Sequence, residues 1–578
     1  MILGLVQGRP SPKPLWLSDL RLSSVGRAAL SDAYLAADVL ASSYQGDGLT
    51  VVAESGRGGV CAATVAKAYR RFGHGCTAHL PGRFALIVHD GGTGQLFASG
   101  STAPAWPLSY WSSAGVTVVC SRLLPLLRCP DVPRVLDESY LVHFVMGLSS
   151  MREGATPLRG IRRLCPGEAL IADGRGARVS QVDNLTPRAL GSTEPRGEAL
   201  LEELGTVVGA YGPTAAVALS GGLDSAALVS AGLRRTTRLP AFSFIAPALA
   251  PAAEIAAIDA MERAWPRLDV TRIDASSATE LPDLGPELRD DPQLTPLALL
   301  PARMQLWSRA REAGFSTVIE GEGGDELFSM LPTPLDALRR GHVLDAARHV
   351  LGSSGRRALV EHGLWLPLLP RTARRAWLAR RQPIEVHLPS FAAWDARQHP
   401  VVREAASEYL ATLVHRPFPE RVNEWLSAPM VVGAGLSRRH LAAGFGLELE
   451  WPMLERGVLE LVLGLHAARA IRGGQHKPFL QDALRAIVPD RVRLASKDIG
   501  LYRAFIPRVL TSRRAREAVR DVRVRRRLAD LVRFERIDGM LDGLASGRSL
   551  GHAALWQLEC IVAFADWYSR ASREHGVD

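Results

Sequence analysis

The sequence predicts an α/β protein in two unlike halves: a layered, strand-rich sheet domain over residues 1–190, then a domain with a mostly parallel sheet over residues 191–578. Three observations predict it. At 578 residues, 47% of them hydrophobic, the chain is too long for one ordinary core and apolar enough to fill two. The first half is crowded with short apolar runs between Gly, Asp and Ser turns, whereas beyond it strands and helices alternate, the pattern of a parallel sheet. Two of those later strands run straight into glycine-rich loops that carry acids.

Taken in order, Phe84–Val88, Gln95–Ala98, Val116–Cys120 and Ala169–Ala172 are expected strands of the first domain. The six cysteines, Cys61, Cys76, Cys120, Cys129, Cys165 and Cys560, show neither a C-x-x-C pair nor a zinc spacing. With no signal peptide and no apolar run of membrane-spanning length, a reducing, cytoplasmic setting is expected. The boundary falls at Thr186–Arg196, where Pro187, Gly191, Ser192, Thr193 and Pro195 precede an expected helix over Gly197–Ala210.

The apolar strand beginning at Ala215 breaks into Ser220-Gly221-Gly222-Leu223-Asp224-Ser225 and continues as a helix. Two glycines permit a tight turn, and small hydroxyls stand where a helix begins with its amide hydrogens unpaired, so the stretch reads as a phosphate cradle. The lysine of the G-x-x-x-x-G-K-[ST] loop is missing, which argues against a kinase-like grip; Asp224 offers a carboxylate to Mg²⁺ instead. Pro240–Ile245 is the next strand, and Asp290, Asp291 and Pro292 favour the start of a helix over Leu297–Ala313. Phe315–Glu320 then runs into Gly321-Glu322-Gly323-Gly324-Asp325-Glu326-Leu327-Phe328. Ligands collect outside the carboxyl ends of the strands of an open α/β sheet, so both loops can face one nucleotide.

The formal charge of +10 and the isoelectric point near 9.6 come largely from arginine. Over 331–430 arginines such as Arg339, Arg348, Arg374 and Arg380 interleave with Trp365, Trp377 and Trp394, which suits either a basic-rimmed cavity or solvated helices with tryptophans packed inward. The basic stretch Ser512–Arg536 lacks base-stacking aromatics, and no nucleic-acid partner is expected.

Ser220 to Ser225 resembles the signature of the ATP pyrophosphatases, which cleave ATP to AMP and pyrophosphate while adenylating a substrate. Together with Gly321 to Phe328 it resembles the synthetase domain of the asparagine synthetase family, an ATP-pyrophosphatase-type α/β fold in which aspartates matching Asp224 and Asp325 hold Mg²⁺ on the phosphates. The resemblance implies that Ser220, Gly221, Gly222, Ser225, Glu320 and Gly321 line the ATP site and that the backbone at Leu219 and Phe244 meets the adenine. Gly446-Leu-Glu448-Leu-Glu-Trp-Pro452-Met-Leu454-Glu455 is similar to the family's Gly-Val-Glu-x-Arg-x-Pro-Phe-Leu-Asp segment, with Glu450 in place of the arginine and Glu455 of the aspartate. Gly473 to Leu480 and Ser496 to Gly500 follow in family order. Lys497 falls on the lysine that in relatives meets the acyl-adenylate, where a preorganised cation lowers the barrier. In the related β-lactam synthetases a tyrosine at the position of Glu322 pairs with a glutamate at that of Glu448. If these two glutamates lie close, repulsion and burial raise one pKa and make a base for the amine proton; otherwise Glu322 serves the magnesium loop alone.

The first domain, with Gly82 to Asp90, Pro107 to Trp111 and Gly160 to Glu168 in order, resembles the family's glutamine amidotransferase half, an Ntn-hydrolase-like layered sheet domain. Working members expose an N-terminal cysteine as nucleophile. This sequence reads Met1-Ile2-Leu3-Gly4 and has no counterpart to the family's glutamine-binding Arg-Gly-Pro-Asp and Asn-Gly-Glu-Ile-Tyr-Asn segments, so a degenerate glutaminase is expected. A displaced nucleophile at Cys61 or Cys76 is the lesser reading, since a lone cysteine is ordinarily a small apolar side chain. An amine already present in the substrate then points to ring closure, as in β-lactam synthetases or lasso peptide cyclases. The added basic, tryptophan-bearing segment favours the lasso cyclase branch. That resemblance implies ATP and Mg²⁺ as cofactors, a leader-processed precursor peptide as substrate, and a leader peptidase with its recognition domain as partner. The remaining alternatives are a small-molecule lactam former and an enzyme that amidates with free ammonia.

Overall fold

The computed structural model describes residues 1–7, 23–27, 33–37, 41–56, 59–102, 106–148, 153–188, 196–249, 253–283, 297–329, 334–339, 341–352, 360–381, 388–393, 399–412, 416–465, 477–495 and 500–578. The expected domain boundary at 190/191 and residues Asp290, Asp291, Pro292, Trp394 and Lys497 lie outside them.

The N-terminal half is two antiparallel six-stranded sheets packed face to face. One orders its strands Arg162–Arg163, Ser109–Ser113, Val116–Cys120, Ile2–Gln7, Ala33–Ala37, Ser23–Arg27; the other Gly176–Gln181, Glu168–Asp173, Gln95–Gly100, Phe84–Asp90, Leu49–Ser55, Ser42–Gly46. Alternation along the strands supplies the layer between them: Ile2, Val6, Leu35, Val52, Ile87, Leu96, Val119 and Leu170 are all buried there. The opposite residues, Val51, Leu86, Val88 and Phe97, pack under the helix Ala62–Phe72.

The second half is built on one five-stranded parallel sheet: β1 (Ala215–Ala218), β2 (Leu239–Ile245), β3 (Leu268–Asp274), β4 (Thr317–Ile319) and β5 (Glu448–Glu450), in spatial order β3-β2-β1-β4-β5. Strand order reverses between β1 and β4, which is where such sheets open a crevice at their carboxyl edge. Both glycine-rich acid loops leave the sheet at that point. Four helices position the site: α1 (Leu223–Leu233), α2 (Gly324–Ser329), α3 (Pro429–Gly444) and α4 (Pro478–Ala483). The helix expected over Leu297–Ala313 forms as a 3₁₀ turn, Leu297–Leu299, and an α-helix, Leu300–Glu312.

The halves share a core. One continuous apolar cluster joins Leu3, Val118 and Phe144 of the first half to Phe505, Phe564 and Trp567 of the C-terminal helices. In the arginine-rich segment, Trp365 and Trp377 meet edge to face at 5.4 Å, and Arg374 donates to the carbonyls of Leu366, Pro367 and Leu369. Trp365 is itself 36% exposed, and Arg374 is held by carbonyls rather than solvated, so these residues match neither reading of 331–430 in full. In the other basic stretch Arg513 pairs with Glu517, Arg514 with Asp283 and Asp566, Arg516 with Asp542 and Arg525 with Asp538, so much of its charge is met locally. Among the described residues no helix is long and apolar enough to cross a membrane.

Candidate active site

β1 ends at Ala218, and the chain turns through Leu219–Gly222 into α1. Gly221 makes the turn at φ +73°, a conformation that strains any residue with a Cβ. The serines brace it: Ser225 Oγ donates to the Gly222 carbonyl at 3.0 Å, while the amides of Ser220 and Gly222 donate to Ser225 Oγ and Ser220 Oγ. Asp224 thereby stands in the first turn of α1, where helix amides and the helix dipole favour anions such as phosphate. The Leu219 amide donates to Phe242 O on β2, and β1 stops before the level of Phe244, leaving both positions at the sheet's carboxyl edge beside the turn.

From β4 the chain passes through Glu320 to Gly323 into α2. Gly324 lies against Asp224 so closely that a Cβ on it would be 2.5 Å from Asp224 Cγ, and a side chain there would drive the loops apart. Asp325 follows. Between the two aspartates stands Lys477, whose Nζ is 2.5 Å from Asp224 Oδ2 and 2.7 Å from Asp325 Oδ1. Two carboxylates from two loops thus converge on one cation. Sequence reasoning placed Lys477 in a family-like stretch and gave it no role; the signal was a lysine between glycines and a proline, in Gly473-Gly474-Gln475-His476-Lys477-Pro478.

Hard carboxylate oxygens held this way fit Mg²⁺, which takes one or two carboxylates together with substrate phosphates rather than an all-protein cage.

Glu322 and Glu448, the two glutamates considered as a base pair, have different surroundings. Glu322 is clamped by Arg438 of α3 through two parallel contacts of 2.6 Å, Nη1 to Oε2 and Nη2 to Oε1. Burial by itself would raise the Glu322 pKa; the Arg438 guanidinium reverses the sign and holds the carboxyl below its ordinary value. Glu448 pairs with Thr317, the first residue of β4, whereas Glu322 comes after that strand's last residue, Ile319. The Glu448 carboxylate instead abuts Gly56 of the N-terminal half, where an added Cβ would overlap it. Glu320 is likewise held within the protein: its carboxylate accepts from Trp451 Nε1 at 3.1 Å, Trp307 Nε1 at 3.4 Å and Arg303 Nη1 at 3.3 Å.

Successive residues of a helix point about 100° apart, so α3 serves three surroundings in three residues. Arg438 reaches the acid loop. Arg439 lies between Trp451 (4.5 Å to the ring) and Trp106 of the N-terminal half (5.2 Å), stacked rather than hydrogen-bonded at Nε and Nη2 among the described residues. His440 is buried, and desolvation, then the Arg122 charge, drives its pKa well below the ordinary value. Next to this stack Arg83 crosses from the N-terminal half to pair with Glu450, with Glu455 at 3.0 Å, and donates to Trp451 O at 3.3 Å. The two acids that stand where the resembled segment has an arginine and an aspartate are therefore bound to an arginine of the other domain. Cys76 is buried with its thiol pushed up to about 12 by desolvation, while exposed Cys61 contacts Thr64 at 3.3 Å.

Residues 213–569 match the family described as asparagine synthase, and residues 55–182 match the glutamine amidotransferase domain. Putative asparagine synthetases described as glutamine-hydrolyzing, from Mycobacterium bovis and Mycobacterium tuberculosis, are 27% identical over 474 residues, spanning 73% of this chain and 67% of theirs. A glutamine phosphoribosylpyrophosphate amidotransferase from B. subtilis, complexed with ADP and GMP, aligns over 58% of this chain and 82% of its own at 11% identity; its TM-score of 0.22 carries no argument. With two acid loops meeting at the sheet's switch point and a family match over more than half its length, the chain belongs to the asparagine synthase family.

Proposed function

We propose that the chain is an ATP-dependent, AMP-forming amide ligase that closes a macrolactam in a leader-processed precursor peptide, in the manner of lasso peptide cyclases. The observation that carries the nucleotide chemistry is the meeting of Asp224 and Asp325 on one cation beside the phosphate cradle. In the first step an Asp or Glu side-chain carboxylate of the peptide attacks the α-phosphorus of ATP, and pyrophosphate leaves. The N-terminal amine of the same peptide then attacks the acyl carbon, loses a proton, and AMP leaves, so the peptide sheds one water in all. The Ser220–Ser225 turn and the start of α1 orient the phosphates, and Asp224 and Asp325 would hold Mg²⁺, which when bound neutralises charge on the departing pyrophosphate. Lys497 takes the acyl-adenylate role that the family resemblance assigns to it. Glu322, fixed and ionised by Arg438, positions the acid loop and is not the proton acceptor.

The intramolecular amine is supported by the sequence of the first domain, which has no counterpart to the family's glutamine-binding Arg-Gly-Pro-Asp and Asn-Gly-Glu-Ile-Tyr-Asn segments. The precursor peptide and a leader peptidase with its recognition domain follow from the cyclase reading. A second reading, amidation with ammonia, is favoured by the match of residues 55–182 to the glutamine amidotransferase domain. Incubation of the purified chain with ATP, Mg²⁺ and candidate peptides decides between them. Cyclisation yields AMP and a product lighter by one water; amidation yields AMP and a product that incorporates nitrogen from ¹⁵N-ammonia or ¹⁵N-glutamine.

A further inference from the structure

Lys477 is held in an unusual way. Its backbone is left-handed at φ +51°, a conformation uncommon for residues with a side chain, and Pro478, Phe479, Leu480 and Gln481 that follow are buried in α4. Its side chain is 2% exposed, whereas those of its two partners are 18% (Asp224) and 44% (Asp325) exposed. The lysine thus approaches the carboxylates from within the protein; Asp325 is the more open of the two, and the second oxygen of Asp224, Oδ1, is itself buried.

We propose that Lys477 is a resident counter-ion that keeps Asp224 and Asp325 from taking a free divalent cation, so that the metal enters only together with a triphosphate. The inference rests on the ATP-dependent reading of this site. With the ammonium in place the three groups sum to a single negative charge, and one oxygen of each carboxylate is already engaged. A lone divalent ion has to displace the ammonium from both carboxylates and offers it no new partner. A metal–triphosphate brings its own oxygen ligands and, from the adjacent cradle, anionic oxygens on which the ammonium can settle instead. Metal and nucleotide are then positively coupled, and the coupling is reciprocal.

The test is Mn²⁺ binding to the full chain, read by electron paramagnetic resonance without turnover. Wild type is expected to bind Mn²⁺ at least about 10-fold more weakly alone than with the non-cleavable α,β-methylene-ATP, after correction for Mn²⁺ bound by free analogue. Lys477→Met is expected to tighten nucleotide-free Mn²⁺ binding by a similar factor, about 10-fold. Equal nucleotide-free affinities in wild type and a folded Lys477→Met chain overturn the proposal. So does wild type that binds Mn²⁺ as tightly without the analogue as with it, a measurement that stands even if the variant does not fold. If the analogue itself fails to bind, the ATP reading fails, while the nucleotide-free comparison still decides the role of the lysine.

Discussion

The carboxyl edge of the parallel sheet and the seam between the two halves are both built from opposite charges set among glycines and indoles. They differ in how firmly those charges are held. At the sheet edge Asp325 is 44% exposed, and the cation reaches both acids on a single side chain. At the seam Arg83 and Glu450 are 5% and 2% exposed, and Trp451 packs beside them. The first arrangement can exchange partners, as a site must; the second cannot exchange without leaving a charge buried and unpaired. Glu322 and Glu450, each inside a stretch recognisable from sequence, thus belong to positioning and to assembly.

The largest effect expected from this comparison is at the seam. Arg83→Ala strands Glu450 and is expected to destabilise the fold by ~3–5 kcal/mol, read as a lowered urea midpoint. A loss below about 1 kcal/mol would place the pair with surface ion pairs and remove the contrast. At the site, Asp224→Ala or Asp325→Ala is expected to cut AMP release at least ~100-fold while changing the urea midpoint little. Glu322→Gln should destabilise by ~2 kcal/mol, since Arg438 keeps Glu320 nearby. That variant should also keep the acidic limb of its pH–rate profile; loss of the limb would restore Glu322 as the base. Glu448→Gln is expected to retain AMP release within about 3-fold, in keeping with a residue that packs on Gly56.

The smallest effect is a pH dependence at His440. Its folded pKa lies below the unfolded value of ~6.5, so the unfolded chain binds the extra proton below that pH. The stability contribution is therefore whole above pH ~6.5 and falls as pH drops, by up to ~1.4 kcal/mol per unit. Urea midpoints between neutral and mildly acidic pH should show this slope in wild type and a shallower one in His440→Leu. Equal slopes would mean that His440 is not the group responsible.

Much of the fold was legible because it rests on local pattern. Strands such as Val116–Cys120, Glu168–Asp173 and Leu239–Ile245 follow from short apolar runs between turns, and the helix Arg196–Ala210 from the punctuation ahead of it. The acid loops were legible for the same reason: glycine is required where Gly221 turns and where Gly324 meets Asp224. Glu448 illustrates the limit. The resemblance to β-lactam synthetases suggested a pairing with Glu322, whereas the register of β5 on β4 sets Glu448 beside Thr317, at the start of that strand. Arg438 carried no signal, because a helical arginine is ordinarily solvated and only its neighbours reveal a clamp.

What the sequence determined by itself is the set of elements and the presence of two acid-bearing loops at strand ends, since strand, turn and helix choices depend on residues a few positions apart. Which charges meet was decided only by the tertiary structure. Lys477 lies 253 positions from Asp224 and Arg83 lies 368 from Trp451, and no local preference reaches that far. Those pairings come from sheet order and from the packing of α3 and α4 against it, which bring ammonium, guanidinium and carboxylate within a few ångströms and thereby set which acids remain available for chemistry.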